Sequence, residues 1–295
     1  MALDQLLQYL FSGLTQGSIY ALVGVGFTII YAVTSIINFA QGEFVMLGGM
    51  MSFFLFTSMG LPLPLAVIFS IVIATVIGGL LYLLAIRSAK QASVVSLIII
   101  TIGASIFIRG IAAEVWGVDA VRPPAFSGTT SWSIAGAYIQ PQAVWLIGIT
   151  LFLTLLLHLF FSYTMMGKAL KACAINRAAA GMVGIDARAM ALTAFALAGA
   201  LGAIGGTVMA PLTSAAYGMG AMIGLKGFVA ASIGGFKSPV AAVIGGLLLG
   251  IVENMAIAIG WGPFTSAYKD AIALIVLLAI LLLRAGKLAA EERPS

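Results

Sequence analysis

Three charged residues stand in segments that are otherwise almost wholly apolar: Glu43 in INFAQGEFVMLGG, Lys226 in MGAMIGLKGFVAASIGG, and Glu253 in AAVIGGLLLGIVENMAIAIG. Asn38 and Gln41 precede the first, and Asn254 follows the last. In a hydrocarbon setting such groups do one of a few things: pair with an opposite charge, complement a helix end, line a solute path, or carry a proton or cation. Glu43 falls where a helix would start, so its carboxylate either complements the helix dipole or belongs to a path or its gate. Glu253 lies too deep for a short side chain to reach water. It is expected to join Asn254 in a buried polar network, with Lys226 as the obvious opposite charge.

Other chemistries are absent from the pattern. The chain has one histidine, His158, and one cysteine, Cys173, so it offers neither a metal-ligand cluster nor a disulfide framework. His158 stands alone in LLLHLFF with no catalytic partner at a recognisable spacing. MGKA at Met166 to Ala169 lacks the glycine spacing and hydroxyl of a phosphate-binding loop. No catalytic residue, metal site or cofactor is therefore expected on this chain.

The elements that must position these charges are membrane helices. Of 295 residues, 62% are hydrophobic and only 8% charged, with a mean hydropathy of +1.17, against about a quarter charged in ordinary soluble domains. The reading is an all-α polytopic membrane protein, a single transmembrane domain over residues 1–295, with lipid as its solvent. Apolar runs predict about eight crossings, near Leu6 to Tyr31, Phe44 to Met59, Pro62 to Ile86, Val94 to Val115, Ala143 to Tyr163, Ala187 to Ala210, Pro239 to Ile259 and Ser266 to Leu283. The stretch from Met222 to Gly235 is too short and too rich in glycine for a regular crossing, and is expected to be a broken or half helix beside the path. Gly13xxxGly17, Gly202xxxGly206 and Gly246xxxGly250 suit close helix packing.

The net charge of +5 sits in short connections, where it reports topology and not nucleic-acid binding. Arg87 and Lys90, the group Lys168, Lys171, Arg177 and Arg188, and the tail Arg284, Lys287 and Arg293 are all placed on the cytoplasmic side. The loop at about 114–140 is then external, the N-terminus outside and the C-terminus inside. MALDQLLQYLF has no basic start, so the first helix is expected to stay in the membrane. The cytoplasmic connection at about 164–186 is the longest on its side and forms a compact knob that another protein could grip.

GLTQGSIYALVGVGFTIIYAVTSIINFAQGEFVMLGG, GKALKACAINRAAAGMVGID and ASIGGFKSPVAAVIGGLLLGIVENM together resemble, in the same order over nearly the whole chain, the LivH-type permease subunits of branched-chain amino acid ABC importers. The resemblance implies a bacterial inner-membrane permease that works with a homologous LivM-type permease, two cytoplasmic ATPase subunits and a periplasmic solute-binding protein. ATP and Mg would be bound by the ATPases. It also implies that the knob is the segment docking into an ATPase, through Asn176, Arg177, Ala178, Ala179, Ala180 and Gly181, with Gly167, Lys168, Lys171 and Gly184 around them. Gln41 stands where many relatives have histidine. The family also handles urea, short amides and aromatic or other carboxylic acids, and a gradient-driven carrier or passive channel is the reading outside it. Asn38, Gln41, Glu43, Lys226, Glu253 and Asn254 are the candidate path or gate residues.

Overall fold

The computed structural model describes residues 3–89, 92–134, 136–259 and 269–291. Its helices are α1 (Leu3–Thr34), α2 (Gln41–Thr57), α3 (Leu63–Leu80), α4 (Val94–Trp116), α5 (Pro141–Tyr163), α6 (Met165–Ile175), α7 (Arg177–Met182), α8 (Ala187–Thr213), α9 (Met219–Ile233), α10 (Pro239–Ile259) and α11 (Lys269–Glu291). A π-helical turn, Leu81–Ile86, prolongs α3, and a small antiparallel hairpin pairs β1 (Trp132–Ile134) with β2 (Ala137–Ile139).

Local chemistry sets the helix starts. Ser93, Thr164, Asn176 and Asp186 each stand just ahead of a helix, and their side chains accept N–H bonds from Ser96, Gly167, Ala179 and Arg188 at 2.8 to 3.1 Å. Pro141 opens α5, where its missing N–H has no intrahelical partner to lose. Gly117, at φ 83°, ends α4.

Among the described residues six helices are long and apolar enough to cross a bilayer: α1, α3 with its π turn, α4, α5, α8 and α10. This is fewer than the eight expected. The second expected crossing, α2, has 17 residues and at about 1.5 Å per residue falls short of a roughly 30 Å core. The eighth coincides with α11, and its expected start at Ser266 lies outside the described residues, as does Arg293 of the tail. Of the broken or half helix expected between Met222 and Gly235, the broken form is a correction and the half helix is what the structure has: α9 is one uninterrupted helix of 15 residues, too short to cross. Its glycines serve contact instead of unwinding, because Gly220 and Gly224 lie against Gly42 and Gly227 against Val23 of α1.

Two ends of the molecule can be told apart. At one, the last turn of α1 shares cavities with Arg87, Lys171, Arg177, Arg188 and Lys237. At the other, Gln8 exchanges two hydrogen bonds with Tyr138 of the hairpin, and Arg122 donates to Ser214 just past α8. Helix α1 therefore runs from the hairpin end to the basic end, and α8 runs the opposite way.

The same opposition extends to their followers. Short α2 packs along α8, with Gly48 on Ala203 and Gly49 near Gly206, while short α9 packs along α1, with Gly227 on Val23 and Ala230 on Gly24. Helix α3 meets α8 through Gly78 and Gly199, and α10 meets α1 through Gly246 and Gly250. Helices α1 to α4 and α8 to α11 are thus two copies of one arrangement in opposite orientations, each packed on the first helix of the other. The chain itself carries the trace: Ala21, Leu22, Gly26, Thr28, Thr34 and Ser35 recur at constant spacing as Ala200, Leu201, Gly205, Thr207, Thr213 and Ser214. Ser35 and Ser214 both take a left-handed backbone, φ 59° and 66°, where each first helix stops and the chain turns toward a short one.

Candidate functional site

The first turn of α2 lies inside the bundle. Ala40 ahead of it makes no side-chain cap, and Gly26 of α1, having no Cβ, leaves the space that the Gln41 amide fills. Gln41 donates to the Ala198 carbonyl at 3.0 Å, and the Asn38 side chain accepts from Ala40 N at 3.1 Å. Glu43 Oε1 accepts from Ser105 Oγ at 2.8 Å and Arg109 Nη2 at 3.0 Å, both from α4. The Glu43 side chain is 0% exposed and that of Arg109 30%. Thr101 continues the seam, bonding Ile37 O and Phe39 N. Thr101, Ser105 and Arg109 are spaced by four, so one polar edge of an otherwise apolar helix holds α4 to the body.

A second charge cluster joins α1, α9, α10 and α11. Lys226 Nζ lies 3.0 Å from Tyr20 Oη, 3.1 Å from Glu253 Oε1 and 2.8 Å from Asp270 Oδ1. Tyr20 donates its hydroxyl to Glu253 Oε2 at 2.8 Å. The side chains of Glu253 and Lys226 are 0% and 7% exposed, that of Asp270 58%. An ion facing lipid at such depth would cost about 2.5 to 3.5 kcal/mol even on the most lenient scale, so this pairing is what permits the charges there. Asn254 is a correction to the expected network: its amide turns back to Gly250 O of its own helix at 2.9 Å. The next residue round a helix points about 100° away, which separates Asn254 from the side Glu253 occupies.

The two clusters use the same joint of the two repeats. In each, a buried charge on the short helix meets a more exposed counter-charge on the fourth helix, with the signs reversed: Glu43 with Arg109, and Lys226 with Asp270.

At the basic end, α6 and α7 form a protruding pair. Leu170, Cys173 and Ala180 are buried, and Gly167 packs against the backbone of Phe160 and Phe161. Asn176 caps α7, and Gly184, at φ 85°, closes the turn that returns the chain to α8. What remains outward is apolar at the tip, Ile175 at 86% and Met182 at 83%, beside exposed Lys168, Lys171 and Arg177. Ala178, Ala179 and Gly181 complete the short helix.

A family model described as the branched-chain amino acid transport system / permease component matches residues 9–281. The chain belongs to this permease family. LivH of Escherichia coli strain K12, a high-affinity branched-chain amino acid transport system permease protein, is 34% identical, the match covering 94% of this chain and 92% of that one. BraD of Pseudomonas aeruginosa, described in the same words, is 32% identical over 94% of each chain. A probable branched-chain amino acid transport permease of Methanocaldococcus jannaschii is 26% identical over 90% of this chain and 87% of its own. The permease is thus a multi-pass membrane protein and a transport component.

Reasoning from the sequence missed four participants in this permease: Tyr20, Ser105, Arg109 and Asp270. Arg109 carried the clearest signal, an arginine four residues after a serine inside an apolar run. Asp270 gave little, because it reads as an interfacial charge at the head of a helix.

Proposed function

We propose that this permease is the membrane subunit of an ATP-driven importer for branched-chain amino acids or related small polar solutes. It would work in a bacterial inner membrane with a second, LivM-type permease, two cytoplasmic ATPases that bind ATP and Mg, and a periplasmic solute-binding protein. The observation that carries this is the protruding α6–α7 pair at the basic end, whose exposed Ile175, Met182 and Arg177 offer an apolar and cationic tip to a partner. The basic end would be cytoplasmic by the distribution of lysine and arginine, leaving the N-terminus outside and the C-terminus inside.

ATP-driven closure of the ATPases moves the α6–α7 pair, and the paired permeases alternate between outward-open and inward-open states. This chain supplies the route and no chemistry of its own. The path runs along the interface between the two permeases, lined by α1, the Asn38 to Glu43 turn and the segment around Lys226. Opposed repeats in one chain favour such alternation, because each can take up the arrangement of the other.

Purification of the tagged permease from gently solubilised native membranes, followed by mass spectrometry of its companions, tests the reading. Two ATPases and a second permease support it; a homo-oligomer without ATPase overturns it. The buried Lys226–Glu253 pair favours one alternative, a gradient-driven carrier, for which uptake would stop with an uncoupler while ATP is held constant. Within the family, urea, short amides and aromatic acids remain the other solutes to assay.

A further inference from the structure

Asp270 differs from every other member of the two charge clusters. It pairs with Lys226, which reaches Tyr20 near the middle of α1, so its carboxylate lies well inside the bundle's length. Yet its side chain is 58% exposed, against 0% for Glu43 and Glu253, 7% for Lys226 and 30% for Arg109. An arginine at such depth can extend toward a membrane surface, but an aspartate is too short. The open side of Asp270 must face water or a polar group. Nor does Lys226 depend on it, because Glu253 Oε1 at 3.1 Å and the Tyr20 hydroxyl at 3.0 Å hold the ammonium from the buried side. Asp270 can therefore exchange the lysine ammonium for another one. On the same side of α11, one and two turns further along, Leu274 and Leu278 are exposed, giving an aliphatic surface below the carboxylate.

We propose that Asp270 is the residue of the transport path that selects for a substrate ammonium group, so that the permease passes aliphatic α-amino acids in preference to ureas, amides or carboxylic acids lacking an amine. This rests on the permease reading above. The passing amino acid sets its ammonium on Asp270 and its side chain along Leu274 and Leu278, while Lys226 stays with Glu253 and Tyr20.

The test needs no substitution. The intact complex in native membrane vesicles is treated with a hydrophobic carbodiimide, and modification of the Asp270 peptide is followed by mass spectrometry with leucine or 4-methylpentanoate present. The two probes differ only in the amine. Slower modification with leucine alone is the expected result. Equal rates with both probes, or no modification at Asp270 under any condition, would overturn the proposal. A purely structural Lys226–Asp270 pair is separated by the single variant Asp270→Asn, which leaves Lys226 with Glu253 and Tyr20: if it still prefers leucine to 4-methylpentanoate as the parent does, selection by Asp270 is refuted, and if the preference is lost the proposal stands. A parent complex with no ATP-dependent uptake of any amino acid would instead refute the importer reading, whatever Asp270 does.

Discussion

Arg109 of α4 donates to Glu43 of α2 over 3.0 Å, and Ser105 one turn earlier donates to the same carboxylate oxygen. Beyond the Thr101 contacts, little else that is polar ties α4 to the body among the described residues, and most of α4's remaining surface is apolar and exposed. Arg109→Leu should therefore leave a buried carboxylate with one hydroxyl partner and destabilise the protein by about 3 kcal/mol, the lower end for a broken buried pair. Combining it with Glu43→Leu should recover much of the loss. Thermal unfolding of the detergent-solubilised protein, followed by size-exclusion chromatography, checks both; equal losses in the single and double variants would mean that the pair itself contributes little.

Arg177→Glu should reduce solute uptake by more than about tenfold, as expected when a charge at a docking surface is inverted. The amount of permease in the membrane should stay at the parent level, because the Arg177 side chain is exposed and takes part in no hydrogen bond among the described residues. Immunoblotting of membranes beside uptake assays separates the two effects. Retained uptake would remove the α6–α7 tip from any coupling role.

Glycine positions should divide sharply. A Cβ at Gly42 would run into the Gly220 carbonyl, and one at Gly206 into that of Val45, whereas Gly103, Gly110 and Gly148 have nothing within 4 Å. Alanine at either of the first two should cost about 1 to 3 kcal/mol through forced separation of helices, and at the last three it should be neutral or slightly stabilising. Melting temperatures of the five single variants decide this.

Cys173 is the sole cysteine of the chain, so thiol labelling reports on one site. It lies on the buried face of α6, and burial pushes its thiol above the ordinary range, which keeps the reactive thiolate scarce near neutral pH. Maleimide labelling of the folded protein at pH 7 should be slow, and should rise to the free-thiol rate in denaturant. Fast labelling of the native protein would mean that the α6–α7 pair opens readily.

Much of this was readable along the chain. Apolar runs place α1, α3, α4, α5, α8 and α10 to within a few residues, because a helix that must satisfy its own backbone in lipid announces itself by length and hydropathy. Arg87, Lys171, Arg177 and Arg188 fall at one end, and a start of α2 beside Glu43 follows from Asn38, Gln41 and the dipole. The repeat was also legible, in Ala21 to Ser35 against Ala200 to Ser214, though too thinly spread to be noticed without the fold.

What the sequence by itself determined was therefore the class of protein, its helices, and the presence of charges that needed partners. Lys226 is the expected opposite charge for Glu253 and is found beside it; the other partners were decided by tertiary structure alone. Glu43 and Arg109 lie 66 residues apart, and Tyr20 and Lys226 lie 206 apart, and no periodicity links residues over such distances. The uninterrupted form of α9 came from the same source. Glycine lowers helix propensity wherever it occurs, but whether it breaks a helix or lets two backbones touch depends on what is packed against it. For Gly220 and Gly224 that is Gly42 of α2, brought there by the crossing of the two short helices.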